Sequence, residues 1–340
     1  MDTKLLKQLG NISQIAGVRE STLTGGRGSG MRVAEFYNAA GLRFTVCPDR
    51  CMDLMDLSYR GVNLSFQTKN GPIGPAFNSP LPEEFCDQWP GGAMVTCGLD
   101  NVGGGYLDGA YYPTHGRISS VPAEHFGAGA RWEGEDYVLS ARGEMHQTRT
   151  FGRHLLLSRE ITATLNGKSL TLHDRVTNFE PEDEPFMLLY HTNFGYPLLS
   201  EESLVYTSDT EIEPRNDMST DPVHMMAPVD GRGEELYLHK AKTETAWGAL
   251  VNPTLSLGAY VEFDTANLPY FAEWKNMRSH DYVLAIEPCN CRGVGRAREL
   301  ADGKIAVAPG YSSLDYTVKI GVLDGADEIA AFLKREGGRA

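Results

Sequence analysis

Positive charge is scarce in this chain. Lysine and arginine number 31 against 45 aspartates and glutamates, a net charge of −14. The negative excess is spread along the sequence rather than gathered in a tail. A nucleic-acid backbone needs a basic stripe, so no nucleic-acid partner is expected. An anionic membrane surface is disfavoured for the same reason. Long apolar runs are missing too: no stretch of about 18 such residues exists, so nothing is expected to span a bilayer. The first residues, MDTKLLKQLGNISQIAGVRE, lack the apolar core of a signal peptide. The expected compartment is the cytoplasm, where the six cysteines stay reduced. Neither Cys47-x₃-Cys51 nor Cys289-x-Cys291 has standard zinc spacing, and no histidine pair stands beside either, so no metal is expected. The cysteines read as small buried side chains. Gly103-Gly104-Gly105 lacks the G-x-G-x-x-G spacing and a following helix, so it reads as a turn. No cofactor is expected.

Helical periodicity is also sparse. Residues 3–9 suggest a short N-terminal helix. Residues 326–336 place Ile329, Phe332 and Leu333 on one face of a short C-terminal helix. There is no strand–helix–strand rhythm, which argues against a Rossmann fold or a TIM barrel. Strand signals dominate instead. Leu170, Leu172 and Val176 alternate with Thr171, His173, Arg175 and Thr177. Leu257, Ala259, Val261 and Phe263 alternate with Ser256, Gly258, Tyr260 and Glu262. A period of two buries one face of a strand and leaves the other wet or lining a cleft. Asn166-Gly167 is a hairpin cue, and 37 glycines with 18 prolines suit a chain with many turns. Residues 67–92, rich in Gly, Pro and Asn, read as a long loop over the sheet, a common place for function. The expectation is one mainly β domain over residues 1–340, with its core at about 30–322 and short terminal helices.

Three segments set titratable groups in unusual company. His115 follows a proline turn in Tyr111-Tyr112-Pro113-Thr114-His115-Gly116-Arg117, at an expected strand start where backbone approaches a ligand closely. His191 and Asn193 end a buried-looking strand in Leu188–Pro197. Glu287 closes an apolar strand before Pro288, where desolvation would raise its pKa and suit it to act as a base. Each alone has a plainer reading. A strand-end histidine is commonly a satisfied structural residue, and a lone glutamate commonly pairs with an arginine. The combination is what points to chemistry. Arg50, in Pro48-Asp49-Arg50-Cys51-Met52-Asp53, suits ligand hydroxyls, or structural pairing with Asp49 or Asp53. Trp274, followed by Lys275, offers an apolar platform for a sugar, or a core residue. Asn101 contacts a ligand or closes a turn. His125, His146, His154, His173, His224, His239 and His280 lack comparable context.

His115-Gly116, His191-Thr192-Asn193-Phe194 and Ile286-Glu287-Pro288 together resemble the ordered motifs of the galactose mutarotase (aldose 1-epimerase) superfamily. Pro48–Asp53, Gly91–Gly103, His115–Arg117, His191–Leu199 and Glu287-Pro288 resemble a bacterial aldose 1-epimerase-like branch of unknown function. The resemblance spans roughly residues 30–320 and implies a large antiparallel β-sandwich. It implies Glu287 as general base, His191 as general acid, and His115 as a second histidine that positions the sugar ring. Arg50 matches the family's substrate arginine. Arg117, Asn193, Trp274, Lys275 and Asn101 complete the expected substrate contacts, with Asp264 as the candidate for a further aspartate. The sequence departs from better-studied members in carrying Asn193 and Gly195-Tyr196-Pro197 where those continue His-x-Tyr-Phe-Asn-Leu.

The implied activity is interconversion of the α and β anomers of a free sugar by acid–base ring opening. Two other readings stay open: a non-catalytic sugar-binding module, and an isomerase or epimerase acting at another sugar carbon. The expected partner is a small sugar, and a sandwich edge leaves a homodimer open.

Overall fold

The computed structural model describes residues 7–335 except 80, 82, 83 and 109. Most of the expected helix over residues 3–9 falls outside them. Two large sheets hold most of the described strand residues. The first has a spine of strands in the spatial order Gly17–Thr22, Arg32–Tyr37, Leu42–Cys47, Asp53–Tyr59, Met94–Leu99, Glu184–Phe194, Asp281–Cys289, Tyr270–Arg278, Glu235–Ala241 and Thr210–Pro214. The second runs Glu124–Glu133, Asp136–Thr148, His154–Thr164, Ser169–Asn178, Ser313–Asp324, Leu257–Asp264, Thr245–Asn252 and Leu204–Thr207. Neighbouring strands in both spines pair antiparallel. Asn166-Gly167 lies in the short link between His154–Thr164 and Ser169–Asn178, as its turn chemistry predicts.

The period-two pattern explains how the layers meet. Leu170, Leu172 and Val176 are buried, while His173 and Arg175 face outward. They join Phe44, Leu188 and Ile286 of the first sheet in one core. Burying such side chains contributes about 1.5–3 kcal/mol each. The outer side of Leu257–Asp264 is also covered, because the helix Ala326–Leu333 lays Ile329 and Phe332 against Trp247 and Tyr260. The rings of Tyr260 and Phe332 stand 4.6 Å apart.

A polar tie crosses the core. Arg159, on the second sheet, is 2% exposed. It binds both carboxylate oxygens of Asp174, at 2.9 and 2.6 Å. It also reaches Thr96 Oγ1 and the Cys51 carbonyl, each at 2.9 Å. Tyr190 of the first sheet donates to Asp174 at 2.9 Å. Among the described residues, no helix is long and apolar enough to cross a membrane.

Candidate active site

Glu184–Phe194 lies between Met94–Leu99 and Asp281–Cys289 near the middle of the first sheet. The register that pairs Leu189 with Cys289 and Thr192 with Ile286 sets His191 opposite Glu287. Both side chains leave the same face, so sequence positions far apart become neighbours. Tyr270–Arg278 continues this face, pairing Ala272 with Glu287 and Trp274 with Ala285. His115 arrives differently. It sits in a turn rather than at the expected strand start, with φ of 55°. Its N–H donates to the Gly103 carbonyl and its own carbonyl accepts from Gly98, both at 2.9 Å. Gly116, at φ of 75°, lets this turn press onto the sheet, since a Cβ there would stand 2.1 Å from the Gly98 oxygen.

The geometry is compact. His191 Nε2 stands 3.1 Å from Glu287 Oε1. The two residues are 6% and 4% exposed. The His115 and His191 ring centres are 5.7 Å apart, and Trp274 meets His191 edge-on at 5.5 Å. Several polar atoms here are buried without an aligned hydrogen bond: His115 Nδ1, His191 Nδ1, Glu287 Oε1 and Asn193 Oδ1. Buried polar atoms are ordinarily satisfied, so their concentration at one spot marks a place where a polar ligand would complete the bonding. Burial, then the nearby charge of Glu234, pushes Glu287 up to about 8. Burial, with His115 alongside, lowers His191 to about 3, and burial alone lowers His115 to about 4. At neutral pH both imidazoles are uncharged and Glu287 is mostly protonated.

The other sequence-predicted residues separate by role. Arg50 is 6% exposed and gives Nη1 to the Ile73 carbonyl at 3.1 Å. It lines the space beside His115 together with Phe85, Gln88 and Trp89. Asn193 shares the His191 face, and its amide donates to the Gly92 and His191 carbonyls at 3.0 and 2.8 Å. Lys275 is not brought to the site. Strand alternation turns it away from Trp274, and its ammonium binds the Asp221 and His224 carbonyls beside Glu273. Arg117 is tied to the Asp100 carboxylate and the Tyr111 carbonyl. Asn101 clamps the carbonyls of Gly104 and Pro113, each at 2.9 Å, so it shapes the His115 turn from behind. Asp264 is exposed on the second sheet and caps Ala266 at 2.8 Å.

The expected long loop supplies residues the sequence did not single out. Its short helix Phe85–Gln88 carries Phe85 to within 5.4 Å of the His115 ring. Trp89 packs on His191 at 5.2 Å and on Trp274 at 6.1 Å. An aromatic residue inside a Gly/Pro-rich loop was the available signal. Two small cavities flank Arg50. One, beside His115, encloses about 30 Å³; the other, lined by Asp53, Gln67 and Ile73, encloses about 60 Å³. These volumes suit waters rather than a whole sugar ring. Among the described residues, no three His, Cys, Asp or Glu side chains are grouped to hold a metal ion.

The same architecture recurs in solved structures. A Klebsiella pneumoniae protein described as a candidate aldose 1-epimerase superposes with a TM-score of 0.87 at 22% identity, covering 97% of this chain and 88% of its own. A galactose mutarotase-like protein from Clostridium acetobutylicum gives 0.62 at 12% identity, covering 92% and 99%. A galactose 1-epimerase from Lactobacillus acidophilus gives 0.55 at 12%, covering 91% and 99%. At these identities the likeness shows the fold, a galactose mutarotase-like β-sandwich. No curated protein matches the sequence. The sequence model of one family, described as a domain of unknown function (DUF4432), matches residues 28–322, and the chain belongs to that family.

Proposed function

We propose that this protein is an aldose 1-epimerase-like enzyme that exchanges the anomers of a free sugar. The observation that carries the reading is the His191–Glu287 pair: two buried groups 3.1 Å apart, the carboxyl pushed up to about 8 and the imidazole lowered to about 3. Mutarotation needs a base at the anomeric hydroxyl and an acid at the ring oxygen. Sugar hydroxyls donating to Glu287 would stabilise its carboxylate and lower its pKa, leaving His191 to take the proton. Glu287 then removes the O1 proton while His191 protonates the ring oxygen, and the C1–ring oxygen bond breaks. The resulting aldehyde turns about C1–C2. Closure on its other face returns both protons and leaves the opposite anomer. His115, uncharged, orients the ring, and Trp274 offers an apolar surface to its C–H face. The balanced reaction needs no redox partner. It already proceeds slowly in water, so two positioned groups, each worth roughly 10²–10⁴-fold, are enough.

Glu287→Gln and His191→Asn should each remove the acceleration of anomer exchange, followed by polarimetry, while circular dichroism stays that of the folded protein. Wild-type rates in both variants would refute the assignment. A sugar that binds both variants normally, with no acceleration by the wild type, would instead favour the non-catalytic binding module.

A further inference from the structure

The Gly91–Gly103 segment supplies no side chain to the ring-opening scheme, yet it carries Asp100, which is 1% exposed. Three arginines converge on that residue. Its Oδ1 accepts from the Arg117 N–H at 3.1 Å. Its Oδ2 accepts from Arg117 Nη1 and, at 3.1 Å, from Arg153 Nη2. Its carbonyl accepts from Arg296 Nη1 at 2.7 Å. Taking a carboxylate out of water costs about as much as such pairs return, so stability alone is a poor account of it.

Each arginine comes from a different part of the fold. Arg117 lies two residues beyond His115. Arg153 stands in the link between Asp136–Thr148 and His154–Thr164 of the second sheet. Arg296 opens the helix Arg296–Ala301, which follows the strand that carries Glu287. Its Nη2 reaches the Pro185 carbonyl at 3.2 Å, in the strand that carries His191. Asp100 thus joins the segments that deliver all three residues of the proposed site.

His115 is the member that needs holding. It and Gly116 are consecutive left-handed residues, at φ of 55° and 75°. A side chain disfavours that conformation, which persists only where the surroundings over-determine it. His115 Nδ1 is buried without a hydrogen bond, so that nitrogen does not anchor the ring. Backbone bonds to Gly98 and Gly103 hold the entry to the turn, and Asp100 adds its bonds at the exit, on Arg117.

We infer that Asp100 is a positioning residue for the sugar reaction: clasping Arg117, it locks the left-handed turn so that the His115 imidazole stays beside His191. The inference deepens the sugar-epimerase reading and rests on it. Asp100 meets no reacting atom; it acts through His115. Asp100→Asn keeps the size of the side chain but removes its charge and turns an amide N–H towards groups that only donate.

The test uses the full-length protein, with histidine ring resonances read by ¹H–¹⁵N NMR and assigned by single substitutions. Asp100→Asn should shift the His115 ring resonances while leaving those of His239, buried elsewhere, in place. kcat/KM for anomer exchange, followed by polarimetry with freshly dissolved α-glucose and α-galactose, should fall about 10–100-fold. In a His115→Ala background the same substitution should cost less than about twofold, because the two residues act as one unit. A general structural weakening would cost as much in either background. Arg117→Gln, which leaves Asp100 with Arg153, should reproduce the shift and serves if Asp100→Asn does not fold. Unmoved His115 resonances, unchanged kcat/KM, or an undiminished loss in the His115→Ala background would overturn the inference. Should the wild type accelerate exchange of neither sugar while the His115 resonances still move, the clasp stands and the ring-opening reading fails for those sugars.

Discussion

Glu287 and His191 are displaced in opposite directions by one cause. Removal from water disfavours whichever form carries charge, so the carboxyl rises to about 8 and the imidazole falls to about 3. Between those values the pair holds a single proton, the state that acid–base ring opening requires. kcat/KM for anomer exchange should therefore stay level from about pH 5 to 7 and fall above about pH 8, where the free enzyme loses that proton. An ordinary histidine titrating near 6.5 would instead break the profile there, and such a break would contradict the assignment. His115, His191 and Glu287 were each legible from local context as candidates. Their separation in space was not, because only the register of Leu189 with Cys289 and Thr192 with Ile286 brings the last two face to face. Lys275 shows the reverse error. Its charge drew notice, yet its place next to Trp274 in a strand already sends it to the opposite face.

Among the elements, the loop helix Phe85–Gln88 and the following Trp89 lie against the candidate site. Trp89 covers His191 and Trp274, and the remaining space beside His115 is about 30 Å³. For a sugar ring to reach His191 as proposed, that side chain would have to move. Adding a bound sugar should change the tryptophan fluorescence, and Trp89→Phe should sharply reduce that change. An identical response in the variant would show that Trp89 stays in place. The loop's composition announced an irregular segment, but nothing in a Gly/Pro-rich stretch says over which strands it folds. The C-terminal helix was easier to read. Ile329 and Phe332 sit one turn apart, and both are buried against Trp247 and Tyr260 as that spacing requires.

For the molecule as a whole, the all-β class follows from the period-two runs, whereas the order of strands does not. Ser313–Asp324 sits between Ser169–Asn178 and Leu257–Asp264, pairings that span large parts of the chain and leave no local trace. The tie between sheets was only half legible: Asp174 shares its parity with Leu172 and Val176, and Arg159 with Leu157 and Ile161, so alternation turns both charges inward, but nothing local says that they meet. Arg159→Met should lower unfolding stability by about 3–5 kcal/mol, since it leaves Asp174 buried without its partner. Arg175→Met, which breaks only the exposed pair with Asp315, should change it far less. Equal effects in chemical denaturation would disprove the distinction. The central claim is that ring opening occurs between His191 and Glu287, and a crystal structure with a bound free sugar addresses it most directly. The account predicts the anomeric and ring oxygens within hydrogen-bonding reach of Glu287 and His191, with Trp89 displaced from the imidazole. A sugar held elsewhere, with Trp89 still packed on His191, would contradict it.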